Sequence, residues 1–345
     1  MTTTRTTTRN RQIVLAGRPE GMPTEADFRL VEGPLPEAGP GEALVRTIYL
    51  SVDPYMRGRM SDQPSYARPV PVGGVMVGGT VGQVVVANDP ALVPGDLVEG
   101  YGGWQDFWVA RAGALRKLDP ANAPISTAIG VLGLPGLTAY FGLFFVARPR
   151  PGDTVFVSGA AGAVGATVGQ IARIAGCTVA GSAGGAEKMA YLRELGFDAT
   201  LDYRAEPDLR AALARACPQG IDVYFDNVGG PITDAVIEHV NVGARVVVCG
   251  QIAGYNQRGK ETGPRNLWQL IAKRARIEGM LYSDFLHHRD EATARLGAWL
   301  SDGRLRCRED IVEGLENAPK AFLRLFTGAN LGKQLVRVSA DPTRA

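Results

Sequence analysis

The residues with the clearest chemical potential are three glycines spaced three apart, Gly159, Gly162 and Gly165. They follow a short apolar run at residues 155–157 and precede a stretch with apolar residues at helical spacing, residues 166–175. A glycine turn between a strand and a helix lets a diphosphate approach the backbone and bind N–H groups at the helix N-terminus. Glycine spacing alone also fits a tight turn without a ligand, but the flanking strand and helix favour a dinucleotide site. A dinucleotide in turn predicts hydride-transfer chemistry.

The end of the second predicted strand, residues 177–181, indicates which dinucleotide binds. NAD sites usually carry Asp or Glu at this point, where the carboxylate holds the ribose hydroxyls. Here the first carboxylate is Glu187, which comes too late in the chain for that role. Lys188 falls in the predicted first turn of the next helix, where a cation suits a ribose 2′-phosphate, although a solvent-exposed helix lysine is the alternative. The sequence therefore favours NADPH over NADH.

The pattern of apolar runs predicts an α/β protein that positions this turn. Predicted strands lie at residues 155–158, 178–181, 223–226, 245–249 and 276–280, with predicted helices between them, such as 187–195 and 209–216. This alternation specifies a doubly wound parallel sheet of the Rossmann type. Residues 13–130 and 315–345 carry short strands and Pro/Gly turns instead. We therefore predict a Rossmann domain, residues 131–314, inserted into one β-rich domain.

Composition and charge exclude several classes of protein. The chain has 345 residues, 45% of them hydrophobic, and a net charge of +2, which argues against nucleic acid as the main partner. The longest apolar stretch, residues 128–147, is interrupted by five glycine or proline residues, so no membrane span is predicted. The four cysteines and three histidines lack the spacing of a zinc lobe or a disulfide framework, which favours a reducing cytoplasm. Residues 1–12 are rich in Thr and Arg, and a disordered tail is favoured over a transit peptide because no amphipathic apolar face is present.

Several short segments, in order along nearly the whole chain, carry a family resemblance. They are Leu50-Ser-Val-Asp-Pro-Tyr-Met-Arg-Gly-Arg-Met60, Gly73-Gly-Val-Met-Val-Gly-Gly79, Gly133-Leu-Pro-Gly-Leu-Thr-Ala-Tyr140, Ala183-Gly-Gly-Ala-Glu-Lys188, Asp226-Asn-Val-Gly-Gly230, Cys249-Gly-Gln-Ile252 and Asn330-Leu-Gly-Lys333. With them the chain resembles the zinc-independent medium-chain dehydrogenases/reductases. Within that family it is similar to the branch of NADPH-dependent curcumin reductases and prostaglandin or alkenal double-bond reductases. The resemblance implies a GroES-like fold for the β-rich domain. It also implies a homodimer formed edge to edge, with residues 276–280 as a possible edge strand.

The same resemblance bears on metal binding. Zinc-dependent relatives carry a cysteine early in the β-rich domain and a later Gly-His-Glu segment. The corresponding positions here fall within residues 51–55 and near residues 76–79, and neither offers a set of metal ligands. No metal site is predicted, so a carbonyl substrate would have to be polarised by hydrogen bonds.

The resemblance implies reduction of an α,β-unsaturated ketone or aldehyde, with hydride added to the β-carbon and charge developing on the carbonyl oxygen. Tyr255 matches the active-site tyrosine of the family, and a phenol can donate a hydrogen bond to that oxygen. From the residues alone, an ordinary loop tyrosine at a domain cleft is the favoured interpretation of Tyr255. Tyr55 is the second predicted catalytic residue, as a donor that positions substrate, and its alternative is a packed tyrosine of the β-rich domain.

The resemblance also implies which residues bind the cofactor. Gly162, Ala163, Val164 and Gly165 are expected to meet the diphosphate, and Lys188 and Tyr203 to hold the 2′-phosphate. The residues expected on the nicotinamide half are Thr138, Asn227, Cys249, Ile252, Met280, Leu281 and Tyr282. Gly184 and Asn330, which matches the asparagine before the last strand of the family, are also expected to bind the cofactor. Arg204 follows Tyr203 and is expected to be a solvated arginine, with added charge at the phosphate as the alternative.

Two further functions stay open at this stage. One is an NADPH quinone oxidoreductase with the same cofactor site, and the other is a non-catalytic NADPH-binding sensor. The presence of both Tyr255 and Tyr55 argues against the sensor. The polar segment 253–264 is predicted to be a flexible lid whose sequence leaves the identity of the enone or enal substrate open.

Overall fold

The computed structural model describes residues 9–259, 262–263 and 266–344. Most of the predicted tail, residues 1–8, lies outside the described residues, as do Lys260, Glu261 and Pro264 of the predicted lid. Within the described part, the chain divides into two compact units. The first contains the residues up to Ile129, Asp310–Ala329 and the residues from Gln334 onwards. The second contains Gly130–Glu309 and Asn330–Lys333.

Strands and helices alternate in the second unit, whereas the first unit is mainly β. The strands are β1 (Arg9–Leu15), β2 (Phe28–Pro34), β3 (Glu42–Ser51), β4 (Thr80–Ala87), β5 (Leu97–Gly100), β6 (Phe107–Arg111), β7 (Arg116–Lys117), β8 (Thr154–Val157), β9 (Thr178–Ala183), β10 (Ala199–Asp202), β11 (Ile221–Asp226), β12 (Val240–Val248), β13 (Arg276–Gly279), β14 (Glu309–Glu313) and β15 (Lys333–Arg337). The helices are α1 (Met56–Arg59), α2 (Leu134–Phe141), α3 (Ala163–Ile174), α4 (Ala186–Glu194), α5 (Leu209–Ala216), α6 (Gly230–Glu238), α7 (Trp268–Lys273), α8 (Arg289–Ser301) and α9 (Ala318–Thr327).

The second unit is built on a six-stranded sheet with the order β10-β9-β8-β11-β12-β13. Every neighbouring pair in it is parallel. Numbered within the sheet, this is the 3-2-1-4-5-6 order of the doubly wound nucleotide-binding fold. The prediction of a doubly wound parallel sheet is thereby confirmed. All four residues of β8 are buried, because a central parallel strand is covered by helices on both faces. The strand order reverses between β8 and β11, so the carboxyl ends of these two strands open the crevice where such sheets bind ligands.

Strand β10 was not predicted from the sequence. Its four residues carry only one fully buried side chain, Leu201, and the apolar pattern is too short to separate a strand from a loop. In the structure β10 pairs with β9 from Ala199 to Asp202, which places Asp202 at the same edge of the sheet as the glycine turn.

The first unit contains an antiparallel hairpin, β1–β2, and a seven-stranded sheet in which β3 pairs with β4, β6 and β15. Residues 9–12, which the sequence placed in a disordered tail, instead belong to β1. The reason is side-chain pairing that composition does not reveal. The buried Asn10 amide donates to the Phe107 carbonyl and accepts from the Phe107 N–H, both at 2.9 Å, and Arg11 binds Asp106.

A compact aromatic group anchors the core of the first unit. Phe28 stacks on Trp104 with ring centroids 5.5 Å apart, and Phe322 of α9 packs edge-on against both rings. Edge-to-face and offset geometries match the positive ring edges to the negative ring faces. This contact joins the C-terminal helix to the N-terminal strands within one unit.

The segment Asn330–Lys333 clusters with the second unit, although the predicted domain limits assigned residues 315–345 to the β-rich domain. The Gly332 N–H donates to the Ala161 carbonyl at 3.0 Å, and Gly332 forms a parallel bridge with Gly162. These backbone contacts hold the segment against the glycine turn. Among the described residues, no helix combines the length and the apolar character needed to cross a membrane.

Candidate cofactor and active site

The glycine turn between β8 and α3 has the geometry of a diphosphate site. Gly159 adopts a φ of 60°, in the left-handed region that glycine enters without strain. A Cβ on Gly165 would lie 2.5 Å from the Gly159 carbonyl oxygen, so only glycine lets the helix pack this closely on the turn. Helix α3 begins at Ala163, and the first N–H groups of a helix have no partner within the helix. The turn therefore presents the N–H groups of Ala163, Val164 and Gly165 to an anion.

Asn330 is brought to the same turn from far along the chain. Its side-chain amide donates to the Gly332 carbonyl at 3.1 Å, and the residue is 9% exposed. Because Gly332 is bridged to Gly162, Asn330 lies beside the predicted diphosphate site. The structure thus unites Asn330 with the turn.

A second pocket wall forms where β9 and β10 end. A Cβ on Gly184 would lie 2.7 Å from Nε of Arg204 and 3.0 Å from the Tyr203 hydroxyl, so the missing side chain makes room for both. The Arg204 guanidinium also faces the Tyr203 ring, 5.9 Å from its centroid. Lys188 is half-buried in the first turn of α4, the helix that follows Gly184. A cation, a phenol and a helix N-terminus here suit a phosphate.

Asp202 organises this wall and was missed by the sequence reasoning. Its carboxylate accepts from the Gly185 N–H and from the Arg204 N–H, each at 3.0 Å. It thereby ties the turn before α4 to the end of β10. No pattern in the sequence marked Asp202, since the strand that carries it was itself not recognised. Arg204 is exposed, as expected, but its side chain lies over Gly184, a contact that was not anticipated.

The nicotinamide half of the predicted site centres on the ends of β8, β11 and β12. The Asn227 amide donates to the Ser158 carbonyl at 2.8 Å, which fixes Asn227 across the switch point. The Cys249 N–H donates to the Asp226 carbonyl at 2.9 Å, so the residues after β12 curl back over β11. Burial raises the pKa of the Cys249 thiol to about 12, which removes its thiolate as a nucleophile at neutral pH.

The remaining predicted residues on this half adjoin one shared core. Thr138 lies on α2, whose Leu137 and Phe141 belong to the hydrophobic core on which Cys249, Met280 and Tyr282 pack. Met280 is held by its N–H, which donates to the Val248 carbonyl at 3.3 Å. Leu281 precedes a 3-10 turn that begins at Tyr282.

Tyr255 lies in the turn that follows β12. Its N–H donates to the Ile252 carbonyl, and its phenol oxygen accepts from the Gln251 N–H, both at 3.4 Å. A Cβ on Gly250 would lie 3.4 Å from the Tyr255 hydroxyl and 3.2 Å from the Asn227 carbonyl oxygen. The phenol therefore lies next to Asn227, at the end of β11.

Tyr55 belongs to the first unit and is described within it. Its hydroxyl lies 2.5 Å from that of Tyr101, and the Arg59 guanidinium faces its ring at 5.6 Å. Burial, with smaller contributions from Asp53 and Tyr101, raises the pKa of Tyr55 well above its ordinary value. The phenol is thus neutral near pH 7 and can donate a hydrogen bond. Tyr101 carried no signal in the sequence.

The positions that correspond to the zinc ligands of other relatives hold residues with contacts of another kind. Ser51 donates a short hydrogen bond to Asp53, and Met76 is buried in the core. Among residues 9–259, 262–263 and 266–344, no three His, Cys, Asp or Glu side chains are grouped so that they could hold a metal ion.

Comparison with known proteins agrees with this geometry. Residues 11–118 match a family model described as the N-terminal domain of oxidoreductase, and residues 163–299 match one described as zinc-binding dehydrogenase. The chain is 48% identical to the NADPH-dependent curcumin reductase of Escherichia coli (strain K12), over 96% of this chain and 98% of that one. The chain belongs to the zinc-independent branch of the medium-chain dehydrogenase/reductase family.

Two further relatives extend the comparison. The 2-alkenal reductase (NADP(+)-dependent) of Nicotiana tabacum is 41% identical, over 96% of this chain and 98% of that one. The crystal structure of CurA in complex with NADPH from Vibrio vulnificus superposes with a TM-score of 0.92 at 45% identity, covering 96% of this chain and all of that one. The two-part architecture predicted for this family, with a Rossmann sheet and a GroES-like unit, is confirmed.

Proposed function

We propose that this protein is an NADPH-dependent ene reductase that reduces the C=C bond of α,β-unsaturated ketones and aldehydes. The observation that carries the proposal is the Tyr255 phenol beside the strand ends of a Rossmann crevice, in a chain with relatives named as curcumin and alkenal reductases. A phenol at this point supplies the hydrogen-bond donor that a conjugated carbonyl needs when no metal is used.

The residues at the crevice fit NADPH. The N–H groups at the start of α3 suit the diphosphate. The space above Gly184 suits the 2′-phosphate, since Tyr203 and Arg204 border it and Lys188 follows Gly184 closely in the sequence. We infer that Asn227, Cys249, Ile252, Met280, Leu281, Tyr282, Thr138 and Asn330 line the remainder of the cofactor site. When bound, NADPH would supply the hydride for the β-carbon of the substrate, and uptake of a proton at the α-carbon completes the reduction to the saturated carbonyl compound.

The protein's own part in the reaction is to stabilise the charge that forms on the carbonyl oxygen. Tyr255 donates its phenol proton in a hydrogen bond to that oxygen, and the enolate is thereby stabilised more than the neutral ketone. The Tyr255 oxygen is the acceptor in its bond with the Gln251 N–H, so that bond does not use its own O–H proton. Tyr55, paired with Tyr101, is the second donor and orients the substrate.

We infer that the reaction proceeds without zinc. Ser51 and Asp53 lie at the first of the positions that hold zinc ligands in other relatives, and the Ser51 hydroxyl donates a hydrogen bond to Asp53. The later position holds apolar residues around the buried Met76. Zinc sites in this class of enzyme need cysteine and histidine ligands in tetrahedral geometry. Dialysis against a chelator, followed by the assay below, should leave turnover unchanged.

The first test measures NADPH consumption by the purified protein with benzylideneacetone, with a quinone, and with each substrate again using NADH. We expect NADPH-dependent formation of the saturated ketone, identified by product analysis. Quinone reduction without enone reduction would replace the proposal by a quinone oxidoreductase. No turnover of either substrate, together with measurable NADPH binding, would favour a non-catalytic NADPH-binding protein.

The second test is Tyr255→Phe, with Tyr191→Phe as the matched control. Tyr191 is a buried tyrosine of α4 in the same unit and has no assigned role in catalysis. Loss of one donor to a developing oxyanion typically lowers kcat by about 10²–10³. We expect that loss for Tyr255→Phe alone, with NADPH affinity retained. Unchanged enone turnover would refute the role of Tyr255.

We also infer a homodimer in which the Rossmann sheets join edge to edge. All residues of the edge strand β13 are exposed, Ile277 at 40%. The neighbouring helix α7 exposes Trp268 and Ile271, each at 69%, on one face. An open strand edge beside exposed large apolar side chains favours pairing with a second strand.

Light scattering after size exclusion tests this dimer. Wild type should have the mass of two chains, and Trp268→Glu should shift it toward one. Val85→Glu replaces an exposed valine of the first unit and serves as the control, which should leave the mass unchanged. A wild-type monomer, or a dimer that both substitutions leave intact, would refute this surface.

We further propose a cytoplasmic location without nucleic acid as a partner. The four cysteines, Cys177, Cys217, Cys249 and Cys307, are all unpaired, which suits a reducing compartment. The net charge of +2 provides no strong basic field. Fractionation and a gel-shift assay at physiological salt would test these two statements.

A further inference from the structure

One buried carboxylate joins the loops on both sides of the strand-order reversal. Asp226, at the end of β11, has no exposed surface. Its Oδ1 accepts from the Ser158 hydroxyl at 3.0 Å, the Tyr224 hydroxyl at 2.8 Å, and the N–H groups of Val228 and Gly229 at 2.9 Å each. Its Oδ2 accepts from the Thr233 hydroxyl at 2.7 Å and from the Gln251 side-chain amide at 2.9 Å.

These donors come from different elements. Ser158 follows β8, Thr233 lies on α6, and Gln251 follows β12. A carboxylate can accept about four hydrogen bonds well, and a buried one is stable only when its lone pairs are satisfied. Six donors converge on this one buried acid, so it links the ends of β8, β11 and β12 with α6.

Gln251 passes this constraint on to Tyr255. Its side-chain amide is held by Asp226, while its backbone N–H donates to the Tyr255 phenol oxygen. Gly229 makes room for the amide, because a Cβ there would lie 2.2 Å from the Gln251 Oε1. Gln251 is therefore fixed at its side chain and meets the phenol at its backbone.

We infer that Asp226 and Gln251 are positioning residues for the proposed reaction. Asp226 holds Gln251, and Gln251 holds the Tyr255 phenol at the angle from which it donates to the substrate oxygen. The inference rests on the proposed function, since it assigns to these residues an effect that is exerted through Tyr255. Neither residue is expected to contact the substrate.

The test compares two substitutions that each remove one donor to the same carboxylate oxygen. Gln251→Leu removes the donor that leads to Tyr255, and Thr233→Val removes the donor on α6. Each should lower the midpoint of thermal unfolding by a few degrees, about 2–4 °C. Only Gln251→Leu should lower kcat for enone reduction, by about tenfold to a hundredfold, because a small displacement of a catalytic group has costs of this size. The KM for NADPH should stay within about twofold for both.

The decisive measurement repeats Gln251→Leu in the Tyr255→Phe background. If Gln251 acts through the phenol, the second substitution should not lower kcat further. An equal fall of kcat in both backgrounds, or an equal fall for Thr233→Val, would overturn the inference. These results are distinct from failure of the proposed function, which would appear as full enone turnover by Tyr255→Phe itself.

A rescue experiment covers the case in which Gln251→Leu does not fold. Gln251→Glu places a second carboxylate beside Asp226, and we expect kcat to fall. Adding Asp226→Asn restores a hydrogen bond at this contact, because the new amide at position 226 can donate to the carboxylate at position 251. Recovery of kcat in the double variant supports the inference, whereas a double variant as slow as Gln251→Glu contradicts it.

Discussion

Replacing Lys188 by alanine should change which cofactor the enzyme prefers. Lys188 is the third residue of α4 and half-buried, in the turn that follows Gly184. Two unit charges about 4 Å apart interact by ~1 kcal/mol in water and by ~4 kcal/mol at the effective dielectric constant near a protein surface. For a half-buried lysine we take ~2 kcal/mol, which corresponds to a roughly 30-fold weaker affinity for NADPH. NADH lacks the 2′-phosphate, so its affinity should hardly change.

Arg193→Ala is the matched control for this prediction. Arg193 is an exposed cation in the last turn of the same helix. Five residues of helix place it about 7.5 Å further along the axis, close to the distance over which physiological salt screens a charge. Its removal should therefore alter NADPH affinity by no more than about twofold.

The assay is kcat/KM for each cofactor with one saturating enone, together with cofactor affinity from direct binding. The ratio of kcat/KM with NADPH to kcat/KM with NADH should fall about 30-fold for Lys188→Ala, and this fall should be smaller at higher salt concentration. Equal weakening of both cofactors would show that Lys188 supports the fold or the diphosphate site instead. An equal effect of Arg193→Ala would show a general charge effect rather than a phosphate contact.

Three further predictions concern the turn, the second tyrosine and the N-terminal strand. Gly165→Ala should weaken the binding of NADPH and of NADH alike, because its Cβ would lie 2.5 Å from the backbone carbonyl oxygen of Gly159. A direct binding measurement in which only NADPH affinity falls would contradict this. Burial raises the pKa of Tyr55 above its ordinary value of 10.0, so the phenol stays protonated up to that pH. The pH profile of kcat/KM should therefore show no fall below about pH 10 that depends on Tyr55. Comparison of the profile with that of Tyr55→Phe checks this. Asn10→Ala should lower the free energy of unfolding by about 2–4 kcal/mol in denaturant titration, since it leaves two buried backbone groups of Phe107 unpaired, and a loss below about 0.5 kcal/mol would show that these groups find other partners.

The local features of the cofactor site could be predicted from the sequence because they depend on neighbours in the chain. Gly159 and Gly162 lie in the turn between β8 and α3, Gly165 lies in the first turn of α3, and the strand and the helix both have clear periodicities. The same holds for the doubly wound parallel sheet, since alternating strands and helices allow few right-handed topologies. The role assigned to Tyr255 came from family resemblance rather than from periodicity, whereas that of Lys188 came first from its charge near a strand end; both stay predictions.

Polar contacts between distant segments could not be predicted. The Asn10 amide forms hydrogen bonds with the backbone C=O and N–H of Phe107. This pairing helps to explain why residues 9–12 belong to a strand and not to the expected tail. Strand β10 carries too few buried residues to be recognised, and with it Asp202 escaped notice. Such contacts depend on which side chains the fold brings together, a quantity that no local pattern encodes.

The sequence by itself therefore determined the class of the fold, and it predicted a turn that can accept a dinucleotide and a preference for a 2′-phosphate. Each follows from glycine conformations, apolar periodicity or a charge within a few residues. Only the tertiary structure decided that Asn330 meets the glycine turn, that Arg204 lies over Gly184, and that Asp226 reaches Gln251. The physical reason is burial: a carboxylate or amide removed from water must find hydrogen-bond partners, and those partners come from wherever the packed chain places them.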